Sequence, residues 1–453
     1  MSAPTPTPAS AGEHRPHLLY VAWGFPPCRG SGVYRAWATA NAFAAAGWDV
    51  TVLTAPRETF TMSTGIDESL ERTVDPSISI VRVPFHAAAF ESDLRRWPRS
   101  RAAAPELWNV LNARREQRTF PERTYGGWRP ALESAAVEVH ERHPIDLVLG
   151  SANPHVDFIP GHVLHERFGV PYVMDYRDAW QLDVFSGDRV SPEGSAVAQW
   201  ERRLVEDAHA VWFVNEPILR WHADLYPTRA DRFHVVANGY DAPPETTTRR
   251  PSQQGLVFGY IGTMSAAVPV DRLIDGWRLA RTRSPLLAAS RIELWGHLNH
   301  AGTPNEAIAR QMGAFAENGI SYHGAVAKKE IGAVYARFDA LLLALGTGRY
   351  VTSGKVYEYA ATGLPIVSVH DPGNAASDVL RDAPAWFPVA DLEPETIADA
   401  LVAASHAALD QTPEERRAAR EWATQFQRDR QLGPQIASLR TMVEDRRAAG
   451  VPR

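Results

Sequence analysis

Short apolar runs that each end in a glycine, proline or polar turn constrain this chain more than any other feature. They fall at 17–23, 49–54, 145–149, 170–175 and 210–214, and again at 256–261, 291–295, 340–345 and 366–369. Each is too short to be a helix and too apolar to lie on a surface, so each predicts a strand buried on both faces. The segments between them carry helical spacing. Val33, Trp37, Ala40 and Ala44 recur at three to four residues after the first run, and Gly47 stops them before the second run begins. Strand, glycine loop, helix and strand make a βαβ unit with a parallel sheet. The pattern starts afresh after a polar stretch, Pro243 to Gly255, and 453 residues exceed what one ordinary core accommodates. The expected class is α/β, with two Rossmann-like, doubly wound halves. The expected divisions are a leader at 1–15, an N-terminal domain at 16–245, a C-terminal domain at 246–420 and a terminal helix at 421–453.

Several function classes are excluded or made unattractive. A formal net charge of −6 gives no general affinity for nucleic acid. Cys28 is the sole cysteine, so neither an internal disulfide nor a cysteine metal site can form, and no metal-ligating cluster stands out. Met1 to Gly12 lacks the basic start and apolar stretch of a signal peptide, and no run approaches the ~18 apolar residues of a membrane span. A cytoplasmic location is expected. One stretch leaves peripheral attachment at the inner face of a membrane open. Leu94-Arg95-Arg96-Trp97, Arg99 and Arg101 precede Leu107, Trp108 and Leu111, a basic and aromatic patch suited to anionic headgroups. The plainer alternative is a solvated surface loop.

Three places carry candidate chemistry. Gly30-Ser31-Gly32 follows the first strand and allows close backbone approach to a ligand. It is a poor dinucleotide fingerprint, because residue 35 is Arg rather than Gly and the second strand ends in Leu53-Thr54-Ala55 without an acid for a ribose. At the carboxyl ends of later strands stand Asn153 and His155, and then Arg177 and Asp178. Ligands of open α/β sheets bind at such ends, and these four form the best catalytic cluster of the first half. The alternative is an Arg177–Asp178 ion pair that merely holds the loop. In the second half, Ser353 caps a short helix that Gly363 closes. Its free N–H groups and Lys355 suit phosphate, and Glu358, about one turn on, suits sugar hydroxyls. The alternative is an ordinary capped helix with solvated Lys and Glu.

Four ordered stretches resemble the GT-B glycosyltransferases, in particular retaining family-4 enzymes of bacterial polysaccharide and glycoconjugate synthesis. They are Trp23-Gly-Phe-Pro-Pro with Gly30 to Arg35; Gly169 to Trp180; Val236 to Asp241; and Ser353 to Pro365. The resemblance implies two domains facing a cleft. It also implies a metal-independent transfer with retention, from a nucleotide-sugar donor to a carbohydrate, lipid-linked or small-molecule hydroxyl, with no further cofactor. It would place the diphosphate near Gly32, Gly262, Thr263, Ser353, Gly354 and Lys355, the ribose at Glu358 and the base by His297. Gly30, Ser31 and Asn153 would meet the acceptor, and Arg177, Asp178 and His155 would serve catalysis. The terminal helix would pack back on the N-terminal domain.

The chain departs from that pattern twice. Relatives often pair two glutamates eight residues apart, and Tyr350 stands where the first would be. Relatives also carry a basic residue after the first loop of the second half, and 262–269 has none, which shifts the neutralisation of a diphosphate to Lys355 or Arg349. Two other activities fit the same architecture: a nucleotide-sugar 2-epimerase, and a non-catalytic nucleotide-sugar-binding protein.

Overall fold

A computed structural model of the chain describes residues 15–30, 32–241, 251–252, 254–265, 267–297, 299–300, 303–304, 312–326, 330–346 and 348–450. Ser31, nearly all of the leader and most of the linker lie outside the described residues.

The first half contains strands β1 (His17–Val21), β2 (Asp49–Thr54), β3 (Ser79–Arg82), β4 (Leu147–Ala152), β5 (Tyr172–Tyr176), β6 (Ala210–Phe213) and β7 (Phe233–Val235). They form one parallel sheet in the order β3-β2-β1-β4-β5-β6-β7, with Leu18 opposite both Val50 and Leu147. The second half contains β8 (Val257–Ile261), β9 (Arg291–Trp295), a small β10–β11 hairpin (Asn299–His300 with Thr303–Pro304), β12 (Ile320–Tyr322), β13 (Ala340–Ala344), β14 (Ile366–Val369) and β15 (Trp386–Phe387). Its main sheet runs β12-β9-β8-β13-β14-β15, also parallel. In each sheet the winding reverses beside the first strand, between β1 and β4 and between β8 and β13. A crevice opens at the carboxyl ends of the strands at such a reversal. Helices cover both faces, which is why β1, β4, β5 and β13 are buried at every position.

The end of the chain belongs to the first half. The helix Arg428–Ala448 buries Leu432, Ile436, Leu439 and Val443 against Leu18, Tyr20, Phe43 and Trp48. The chain therefore crosses between halves twice, and the two crossings lie together. Tyr240 N donates to Phe426 O (3.1 Å) and Arg428 N to Tyr240 O (3.0 Å). Arg428 pairs with Asp241 and donates to Asn238 O (2.7 Å). Gly239, at φ +58°, sits where a Cβ would overlap the Phe426 carbonyl.

One buried ion pair anchors the first crossing. Arg35 lies in the first turn of the helix Val33–Ala45, and Asp175 lies in β5; they are 6% and 0% exposed. Arg35 Nη2 and Nε reach the carboxylate at 2.6 and 2.8 Å, and Nη1 donates to Val236 O (2.9 Å) and Ala237 O (3.2 Å). Ser151 Oγ in β4 completes the carboxylate shell at 3.1 Å. Breaking a buried pair by removing one partner strands the other charge. Arg35→Met or Asp175→Asn is expected to destabilise the N-terminal half by about 3–5 kcal/mol, measured by urea unfolding. The joint replacement of both by apolar residues is expected to lose clearly less than the sum.

Candidate active site

Two cavities meet at the carboxyl ends of the N-terminal strands. The first, about 190 Å³, lies at the β1–β4 reversal and is lined among others by Trp23, Cys28, Gly30, Tyr125, Asn153 and Arg177. The second, about 350 Å³, lies between the halves and takes Tyr34, Arg35, Asp178 and Asn238 from one side and Tyr350, Thr352, Gly354 and Glu358 from the other. Gly32 and Arg177 line both, so this pair stands between the two spaces.

The junction is built by a glycine and a guanidinium. Arg177 lies over Gly32 so closely that a Cβ on residue 32 would overlap Nη1. Arg177 Nη2 donates to Asp178 Oδ2 at 2.8 Å, whereas its buried Nε has no hydrogen-bond partner. Asp178 is 52% exposed, so the pair is an arginine tethered from its solvent side rather than a sealed internal bridge. The arrangement places a cation between the two cavities.

Aromatic rings wall the first cavity. Trp23 packs edge-on to Phe60 (5.5 Å) and Tyr125 (5.5 Å), and Tyr125 stacks on Phe85 (5.9 Å). Beneath them Asp157 Oδ2 accepts from Trp23 N (2.7 Å). Complete burial raises the Asp157 carboxyl well above the usual range.

His155, expected among the catalytic groups, has both ring nitrogens engaged within the chain. Its Nδ1 is engaged with Glu122 Oε1 (3.2 Å), its Nε2 with Asp178 O (3.1 Å), and its ring stacks on Trp180 at 4.8 Å. It lines neither cavity. Glu122 also takes the backbone N–H groups of His155 and Val156, both at 3.0 Å, and so terminates the strand-end turn. His155 thus holds the Asp178 backbone in place, which steadies Arg177 indirectly.

On the opposite side, Ser353 caps the helix Gly354–Thr362 and Gly363 closes it in the left-handed region at φ +68°. Lys355 turns back under the β8 loop. Its Nζ donates to Tyr260 Oη (2.8 Å) and stands over that ring at 4.4 Å. A Cβ on Gly262 would come within 2.6 Å of it, so glycine at φ +146° makes room for the ammonium. Burial pushes Lys355 down to about 8, with Glu358 pulling it back up. Tyr335 Oη approaches Glu358 Oε2 at 3.5 Å. Thr263 and His297 are exposed at the neighbouring strand ends, where Met264 N donates to His297 O (2.8 Å). Gly262, Thr263 and His297 line neither cavity, and neither does Arg349, which is exposed. The structure therefore brings together Gly30, Gly32, Asn153, Arg177, Asp178, Gly354 and Glu358, with Ser353 and Lys355 just behind.

Residues not singled out from sequence complete the junction. Asn215 Nδ2 donates across the halves to Tyr350 O (2.8 Å) and Thr352 Oγ1 (3.0 Å), while its Oδ1 caps its own helix at Ile218 N (3.0 Å). Tyr350 packs against the N-terminal core beside Gly187. An Asn before Glu-Pro reads as a helix cap from sequence, and no local signal reveals that its other end spans the cleft.

Comparison with known proteins agrees with this architecture. Residues 29–239 match the model of the glycosyl transferase 4-like domain, and residues 255–406 match that of glycosyl transferases group 1. No curated protein sequence matches the chain. Among solved structures, HepE from Anabaena in complex with UDP is similar at a TM-score of 0.60 and 15% identity, covering 96% of this chain and 100% of that one. A glycosyltransferase from Rickettsia africae gives 0.62 and 12%, covering 95% and 99%. Sucrose-phosphate synthase from Thermosynechococcus elongatus gives 0.60 and 14%, covering 96% and 100%. With a glycosyl transferase 4-like domain followed by a group 1 domain, the chain belongs to the glycosyltransferases of the GT-B fold.

Proposed function

We propose that the protein transfers a sugar, with retention and without a metal, from a nucleotide-sugar held against the C-terminal half to a hydroxyl acceptor in the N-terminal cavity. The observation that supports this reading is that Gly32 and Arg177 line both cavities. A donor in the larger space and an acceptor in the smaller would meet beside one guanidinium.

In this reading the bond between the sugar's anomeric carbon and the β-phosphate oxygen breaks, and negative charge builds on the departing diphosphate. Arg177, Lys355 and the N–H groups at Ser353–Gly354 are the chain's means of stabilising it. The acceptor oxygen bonds to the anomeric carbon on the face that the leaving group vacates, and its proton passes to the diphosphate. The anomeric centre is oxocarbenium-like during the exchange. Glu358 holds the ribose, and Asn153 and the Gly30 loop, which includes Ser31, orient the acceptor. Gly262, Thr263 and His297 border the donor at the strand ends and come closer when the halves close. UDP, the nucleotide bound by HepE, is the first to test.

The surface adds a setting. The helix Pro105–Thr119 buries none of its residues. Leu107, Val110, Leu111, Arg114 and Arg118 share one exposed face, and the chain leaving this helix supplies Tyr125 to the acceptor cavity. Such a face suits peripheral contact with anionic headgroups at the inner membrane surface of the cytoplasm and a lipid-linked acceptor.

Incubation with UDP-, GDP-, ADP- and dTDP-sugars in chelator is expected to release nucleotide from one of them, and the anomeric configuration of the product by NMR is expected to match the donor; binding of none would overturn the proposal. Glu358→Ala is expected to weaken donor binding roughly ten- to hundredfold by calorimetry, the worth of a hydrogen bond to a charged group. Lys355 carries its charge below about 8 and loses it above. Nucleoside diphosphate affinity is therefore expected to fall by up to about tenfold per pH unit above that point, and to lose this slope in Lys355→Met. Arg114→Glu with Arg118→Glu is expected to abolish cosedimentation with anionic vesicles, at about 1 kcal/mol or more per arginine, while leaving donor binding unchanged.

A further inference from the structure

A third cavity, of about 480 Å³, opens at the other end of the N-terminal sheet. Pro171, Ala210 and Arg232 place it at the amino ends of β5, β6 and β7, whereas the reacting cleft lies at their carboxyl ends. The terminal helix roofs it with Ser438, Leu439 and Arg446.

Its polar groups are divided by charge. Arg232 and Arg446 both line it, and each satisfies a backbone carbonyl only: Arg232 Nη1 donates to Ala208 O (3.0 Å) and Arg446 Nη2 to Gly169 O (2.7 Å). Among the described residues neither guanidinium has a carboxylate within ion-pair distance. His209 stands with them at the mouth, its imidazole held below the ordinary range by partial loss of water and then by the charges of Arg232, Arg446 and His234. Two carboxylates, Asp207 and Asp231, line the same cavity, and Asp207 faces His162 at 3.9 Å rather than the arginines. Trp212 forms part of the lining, is fully buried, and its indole N–H has no acceptor within the chain.

Two guanidiniums with no carboxylate at ion-pair distance among the described residues, lining one cavity with an imidazole, suit an anion. Carboxylates on its rim accept hydrogen bonds from hydroxyl groups. We propose that this cavity binds a hydroxylated phosphomonoester, of the sugar-phosphate class, with the phosphate on Arg232, Arg446 and His209 and the hydroxyls toward Asp207 and Asp231. Because Arg446 comes from the terminal helix and Arg232 from the edge of the sheet, the ligand would bridge the two and brace the helix against its domain.

The test is calorimetry on the full chain with glucose 6-phosphate, with inorganic phosphate and with glucose as separate titrants. Glucose 6-phosphate is expected to bind most tightly, phosphate more weakly, and glucose not measurably. Arg446→Gln and Arg232→Gln are each expected to lower glucose 6-phosphate affinity at least tenfold, and Arg177→Ala in the cleft to leave it unchanged. His209→Ala serves as a third variant should either arginine replacement fail to fold. Glucose 6-phosphate binding that survives undiminished in these variants, or that disappears in Arg177→Ala, overturns the proposal and assigns the anion to the cleft. Absence of binding by both phosphates overturns it outright. Equal affinity for phosphate and glucose 6-phosphate overturns the hydroxyl part alone.

Discussion

The carboxyl-end face of the N-terminal sheet depends on the Arg35–Asp175 pair. A carboxylate with no exposure is costly to bury, and here the cost is offset by contacts from three directions. Arg35 comes from the first helix, Ser151 from β4 and the carboxylate itself from β5, while the remaining guanidinium donors hold the chain at Val236 and Ala237. The helix that follows the glycine loop is thereby fixed in rotation and height over the sheet. Gly32 immediately precedes that helix and Arg177 lies two residues beyond Asp175, so one buried pair sets the spacing of the two groups that line both cavities.

The same residue links the site to the relation between the halves. Arg35 grips the segment that leads into the first crossing, and Arg428 grips its continuation from the second. Tyr357 and Ala361, on the helix that Ser353 caps, pack against Ala237, Tyr240 and Phe426. This helix therefore rests on the crossings themselves. Asn215 adds a second tie across the cleft, to the loop that carries Tyr350.

Much of this was legible in the sequence. The apolar runs are the strands, and the glycine loop, the Ser353 cap and the left-handed Gly363 all follow from local chemistry. What stayed hidden depends on distant partners. Arg35 stood out only as a missing glycine, because nothing local announces a carboxylate 140 residues away. His155 sits at a strand end, as a ligand contact would, yet Glu122 and Asp178 O occupy both ring nitrogens. Lys355 reads as a cation suited to phosphate at a helix start, and only the fold shows it turned under Gly262 toward Tyr260. The helix Pro105–Thr119 was legible only as a basic, apolar stretch, since a helix with no buried face lacks the one-sided pattern that marks helices in sequence.

The return of the last helix to the first domain has a consequence for how the molecule is made. Residues from Leu432 to Val443 supply part of the core that Leu18, Tyr20 and Trp48 begin. A ribosome delivers those contributions last, so the first-synthesised domain waits with an open apolar face while the second completes its own sheet. The second half is in effect an insertion between two parts of the first. Completion of that first core therefore waits on residues that follow the second domain in the chain.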